Sequence, residues 1–191
     1  MTEESRKKLI EYSNALDNLA RIKSTDIFPN KNHQHAAIVL SKMLKYSKNS
    51  FVLFDDDLKG DIVKHDEIES FRDSVIDFIS RGGNLKVVIS DKSPDDDPSL
   101  KNFLNLLIKV FPNQVELKLA TSEFKSSMRK IFNEKINFAI GDNNKYRLEL
   151  FGNNATDSRT RAARGSFNNK EVSSKLLEAF NSKYSSCIAY S

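Results

Sequence analysis

Three groups of residues in this chain carry side chains that could do chemistry. The first is His33-x-His35, a metal-ligand or nucleophile candidate if acids lie at suitable spacing. On a helical turn, positions two apart point in different directions, so a polar cluster opening a helix is the competing reading. The second is Asp55-Asp56-Asp57, directly after the apolar run Phe51–Phe54. The C-terminal edge of a sheet strand is where α/β proteins bind ligands, which makes Asp55 the best-placed acid for a general base. A hard cation needs carboxylates from more than one place, and Asp91, after the next apolar run, is the second source; a solvated acidic rim explains the same residues. Asp55 and His35 are thus the catalytic candidates, without a metal ligand set. The third group is Arg147 and Glu149 with Arg159, Arg161 and Arg164, running into Gly165-Ser166-Phe167-Asn168. Backbone N–H groups, a hydroxyl and an amide just before a helix start suit a phosphate, and arginine reads phosphate bidentately. Arg147 and Glu149, two apart on a strand, share a face and serve equally as a structural ion pair. The arginine-rich loop also reads as merely solvated. Ser166 lacks the Gly-x-Ser-x-Gly elbow of a hydrolase nucleophile.

The elements that must position these groups follow from periodicity. Leu9, Tyr12, Leu16 and Leu19 mark an amphipathic helix over 3–22, and Ala36, Val39, Leu40, Met43 and Leu44 a second over 32–46. Phe51–Phe54 and Leu85–Ile89 are wholly apolar, the pattern of strands covered on both faces. Between them Asp66-x-x-Glu69 reads as a capping box for a helix with Phe71, Val75, Phe78 and Ile79 on its stripe, ending at Gly82. His65 falls within that cap. Pro98 starts a further helix, Val115–Leu119 is strand-like, and 122–132 is a shorter helix. Ile136–Ile140 and Lys145–Phe151 flank Gly-Asp-Asn-Asn, a β-hairpin signal. Asn168 or Asn169 caps the last helix, with Val172, Leu176, Phe180 and Tyr184 inward. The order indicates an α/β fold: a mixed, mostly parallel sheet with a C-terminal hairpin and helices on both faces.

With 191 residues the chain can bury a proper core. We expect residues 1–30 to form a helical extension and 31–191 the α/β domain. No apolar run approaches the roughly 20 residues of a membrane span, the N-terminus has no signal-peptide pattern, and the single Cys187 fits a reducing, cytoplasmic setting. The net charge of +4 is polarised. Residues 55–97 hold 13 acids and 6 bases, leaving 24 bases against 13 acids elsewhere. Such asymmetry can orient a charged partner, although two ordinary solvated faces give the same count.

Phe138-Ala-Ile-Gly-Asp142, Gly165-Ser-Phe-Asn168 and the helix after it resemble one half of a phospholipase D superfamily domain. In that family an apolar strand carries His-x-Lys, an Asp follows, and Gly-Ser-x-Asn lies downstream. The His attacks a phosphodiester, the Lys holds phosphate oxygens, and two motif copies meet at one site, by dimerisation in small members. Placing Asp142 on the family's Asp puts Lys135 at the His position and Asn137 at the Lys position. Lysine is protonated unless its pKa falls far, and asparagine carries no charge. The resemblance therefore implies a phospholipase D-like half domain with a degenerate His-x-Lys. With the arginines read above, the expected phosphate-contacting residues are Arg147, Glu149, Arg161, Arg164, Gly165, Ser166 and Asn168, of which the last three belong to the motif that carries the resemblance. The expected function is a non-catalytic module that binds nucleic acid or another phosphate-bearing ligand, without a cofactor, in a bacterial defence or DNA-processing setting. A phosphodiesterase or nuclease with a relocated site, and a homodimeric interaction module, are the alternatives.

Overall fold

A computed structural model describes residues 1–55, 68–89, 98–151 and 162–190. Helix α1 (Glu3–Arg21) is followed by strand β1 (Phe28–Asn30), helix α2 (His33–Tyr46) and strand β2 (Ser50–Asp55). Then come α3 (Phe71–Ser80), β3 (Asn84–Ile89), α4 (Pro98–Val110), β4 (Val115–Leu119) and α5 (Ser122–Phe132). The hairpin β5 (Lys135–Gly141) and β6 (Lys145–Phe151) leads to β7 (Ala162–Ser166), α6 (Lys170–Lys183) and β8 (Ile188–Ala189). All strands join one open sheet in the order β1-β7-β6-β5-β2-β3-β4-β8.

Local chemistry accounts for the ends of these elements. Asn32, Ser70, Thr121 and Asn169 each accept a backbone N–H from three residues on, as N-caps do. Ser70, not the Asp66 box, caps α3; Glu69 instead meets Lys42 at 2.6 Å. Gly82 sits at φ 90, past the end of α3. Asp142 and Asn143 take φ 47 and 58, the paired left-handed residues of a two-residue hairpin turn.

The sheet is mixed, as expected, but its parallel part is the block β2-β3-β4. The five other pairings are antiparallel, more than one hairpin supplies. The surplus comes from segments with weak strand signals. β1 is only Phe-Pro-Asn, its proline tolerated because it is an edge strand. β7 is Ala-Ala-Arg-Gly-Ser, whose small residues have little strand propensity of their own.

Two cores form, one on each face. Helices α1 to α4 cover Phe51, Leu53, Val87, Ile89, Leu117 and Ala139. Helices α5 and α6 cover Val52, Phe54, Val88, Phe138, Ile140, Tyr146 and Leu148. Leu9, Leu16 and Ala20 of α1 are buried in the first core, and β1 pairs with β7. A part-buried ion pair fastens α1 to α2: Lys42 Nζ lies 2.9 Å from Asp17.

Candidate functional site

Asp55 ends β2, and its carboxylate is 4% exposed. A buried carboxylate needs a donor, and one stands on the neighbouring strand: Asn137 Nδ2 donates to Asp55 Oδ1 at 2.8 Å. Asn137 faces Glu149 on β6, Glu149 faces Ala163 on β7, and Ala163 faces Asn30 on β1. Side chains of directly opposed residues share a sheet face. Asp55, Asn137, Glu149 and Asn30 thus form one polar row across the face beneath α1 and α2.

Arg147 joins that row from one step along β6. Its Nε and Nη2 donate to Asn30 Oδ1 at 3.1 and 2.8 Å, and Nη2 also reaches Glu149 at 3.2 Å. From β6 to β1 the side chain must cross β7. The β7 residues on this face are Ala163 and Gly165, which leave room for the guanidinium. A Cβ on Gly165 would stand 2.6 Å from the Phe28 ring and 2.7 Å from the Tyr146 carbonyl. Close approach of the edge strand therefore requires glycine there.

Helix α1 closes the same corner. The Tyr12 hydroxyl donates to the Pro29 carbonyl at 2.7 Å, and its ring stacks on His35 with centroids 4.1 Å apart. Burial pushes the Tyr12 phenol well above its ordinary value, against the opposing pull of Arg147 and Asn30. Burial, aided by the Lys31 charge, holds His35 below its ordinary value, which favours the neutral imidazole.

The structure thus brings Arg147, Glu149 and Asp55 into one row and sets His35 at its far end. Asn30 and Asp55 are four strand spacings apart, on the order of 19 Å. The Gly-Ser-x-Asn run does not join them. Ser166 is 0% exposed and opposes Tyr146, a residue of the other core. Phe167 is buried against Phe28 at 5.0 Å, and Asn168 Nδ2 donates to the Lys23 carbonyl at 3.0 Å. Arg164 alternates away from Arg147 and is exposed. The expected concave point, with arginines and Gly165-Ser166 around one anion, is therefore divided between two faces. In this chain the run packs the edge strand and tethers the end of α1. Arg159, Arg161, Asp56, Asp57, His65, Asp91 and the 95–97 acids lie outside the described residues. Among the described residues no three His, Cys, Asp or Glu side chains cluster as a metal site.

Asn137 was named at the family's Lys position, but its pairing with Asp55 was not foreseen, although an amide inside an otherwise apolar strand must find a buried partner. Asn30 escaped sequence reasoning, lying in a three-residue strand beside a proline.

Among solved structures, the chain superposes on Nuc from Salmonella typhimurium, a phospholipase D family member. The TM-score is 0.58 at 13% identity, over 86% of this chain and 97% of Nuc. The fold is phospholipase D-like. NucT from Helicobacter pylori gives 0.52 at 15% identity, over 86% of this chain and 98% of that one. TrmBL2, an archaeal chromatin protein with a novel mode of DNA binding, gives 0.62 at 17% identity. That match covers 98% of this chain, which spans only 63% of TrmBL2. No family model and no curated protein matches the sequence. In this phospholipase D-like sheet, Lys135 and Asn137 open β5 on the face that holds the polar row. Lys135 Nζ lies over the Phe151 ring at 5.1 Å. No helix among the described residues is long and apolar enough to cross a membrane.

Proposed function

We propose that this chain is a single phospholipase D-like half domain, catalytically degenerate, that binds nucleic acid or another phosphate-bearing ligand. The observation that carries degeneracy is the state of the two residues matched to His-x-Lys. Lys135 is a lysine whose Nζ lies over an aromatic ring, where the imidazole of the family's nucleophile is missing, and Asn137 is an amide turned onto a buried carboxylate. An attacking group must be deprotonated and free to approach phosphorus. Neither residue meets both needs. Arg147, on the neighbouring strand, is held by Asn30 and Glu149. Phosphate binding draws support from the basic balance outside residues 55–97 and from a DNA-binding protein among the structural neighbours. By the same analogy the biological setting is a bacterial defence or DNA-processing system, and a homodimer is a natural assembly for a lone half domain.

A salt titration of duplex DNA, single-stranded DNA and RNA, paired with a nuclease assay in Mg²⁺, Mn²⁺ and EDTA, tests the reading. The expected outcome is binding that weakens steeply with salt and no turnover. Turnover abolished by Asp55→Ala would instead favour the relocated enzyme, and absence of binding to all three would end the proposal. Light scattering of the full chain reads the assembly; α1 cannot simply be deleted, because Leu9 and Leu16 belong to the core.

A further inference from the structure

The sheet's β1/β7 edge gathers exposed cations from four separate segments. Arg21 and Lys23 end α1, Lys31 follows β1, Arg164 lies on β7 opposite Pro29, and Lys170 opens α6. All five are exposed. The bond from Asn168 to the Lys23 carbonyl draws the end of α1 against the start of α6, and the β1–β7 ladder sets Lys31 and Arg164 beside them. None of the five has a carboxylate within ion-pair distance among the described residues. Lys42, Lys45, Lys86, Lys145 and Lys183 do, and Lys7, Lys109 and Lys130, which like the five have no such partner among the described residues, lie on three separate helices rather than together. The acids in these segments are Asp26, which is exposed, and Glu171, which is paired with Lys175.

We infer that this edge, rather than the polar row at the strand ends, is the contact surface for nucleic acid, and that it grips the backbone of a duplex without reading its sequence. The inference rests on the binding function proposed above and assigns it a different face. Unpaired, solvated cations are available to displace counterions from phosphates, whereas Arg147 has its donors committed inside the protein. A single strand would call for exposed stacking platforms; Phe28 and Phe167 on this edge are 5% and 1% exposed, and the part-buried Tyr12 and His35 rings are stacked on each other. Phosphate contacts of this kind position a protein on DNA but carry no sequence information. Ile22 and Ile27 are also exposed here, 68% and 60%, so an anionic membrane surface is the competing partner that the test must separate.

The test compares the full chain with a Lys23→Glu, Lys31→Glu, Arg164→Glu triple and its milder Gln counterpart. A charge-matched control triple, Lys7→Glu, Lys109→Glu, Lys130→Glu, changes exposed lysines elsewhere. Fluorescence anisotropy with 20-bp duplexes of two unrelated sequences gives the affinity and its salt slope; circular dichroism confirms folding. The edge triple should weaken binding to both duplexes by at least tenfold more than the control, and lower the slope of log Kd against log salt by about 3. The Gln triple should give a smaller loss in the same direction. Equal losses in edge and control triples would overturn the inference, as would duplex binding untouched by the edge triple; both leave the proposed binding function standing. A preference for phosphatidylserine vesicles over duplex, lost in the edge triple, would overturn it in favour of a membrane surface. No binding to any nucleic acid by the parent chain would overturn this inference and the proposed function together.

Discussion

The two faces of this sheet solve burial in opposite ways. Under α5 and α6, Phe54, Phe124, Phe138 and Phe180 pack edge to face, with centroids 5.1 to 6.2 Å apart. Under α1 and α2, the strand ends bury a carboxylate, a guanidinium and two amides: Asp55, Arg147, Asn30 and Asn137 are each 2 to 4% exposed. Rings need only close packing. Charged and amide groups must each find a partner, and even a well-paired buried ion often does no better than an apolar pair of the same volume. The aromatic face is explained by stability alone; the polar row is not.

The largest effect should come from the aromatic face. Phe138 is 0% exposed and contacts both Phe54 and Phe180. Phe138→Ala should cost about 3–5 kcal/mol in urea unfolding. Next is Arg147→Ala, which leaves buried Asn30 and part-buried Glu149 without their donor and should cost about 3 kcal/mol. The informative variant is the double Arg147→Met, Glu149→Leu. Recovery of parental stability would show that the row is not maintained for stability, which sharpens the contrast. A double variant as unstable as the single one would erase it, because the ion pair would then be a net stabiliser like the rings.

How much of this was legible beforehand differs by face as well. The α/β order, the hairpin turn and most helix ends were readable because apolar period, caps and left-handed turn residues act locally. The aromatic core followed from stripes such as Phe124, Met128 and Phe180. The polar row did not. Asp55 and Arg147 were visible as candidates, but their partners Asn137 and Asn30 lie 82 and 117 residues away in sequence. Strands β1 and β7, which carry Asn30 and leave the gap for Arg147, have almost no strand signal of their own. Gly-Ser-x-Asn misled for a related reason: glycine before a helix looks the same in sequence whether it admits a phosphate or, as Gly165 does, the Phe28 ring.

Asp142 gives the smallest effect. It bears on the contrast because this acid, matched to the family's Asp by the resemblance, serves folding and lies away from the polar row. Its Oδ1 accepts from Asn49 N at 2.8 Å and Ser50 N at 3.2 Å, its Oδ2 from Lys48 N at 2.7 Å, and Lys145 Nζ stands 3.3 Å off. Burial pushes this carboxyl up, but the three N–H groups and the Lys145 charge outweigh it and hold it below its ordinary value. A depressed carboxyl contributes stability that is fully present above its unfolded value, near pH 4, and is lost as pH falls through the folded one. Asp142→Asn should therefore cost about 2 kcal/mol at pH 7, the scale of hydrogen bonds to a charged group. The gap from the parent chain should narrow as urea midpoints are taken from pH 5 to pH 3. A gap that stays constant through this window would mean that the carboxylate's charge contributes nothing to the turn joining α2 to β2. The acid would then matter only through the second acceptor oxygen, which asparagine replaces with a donor.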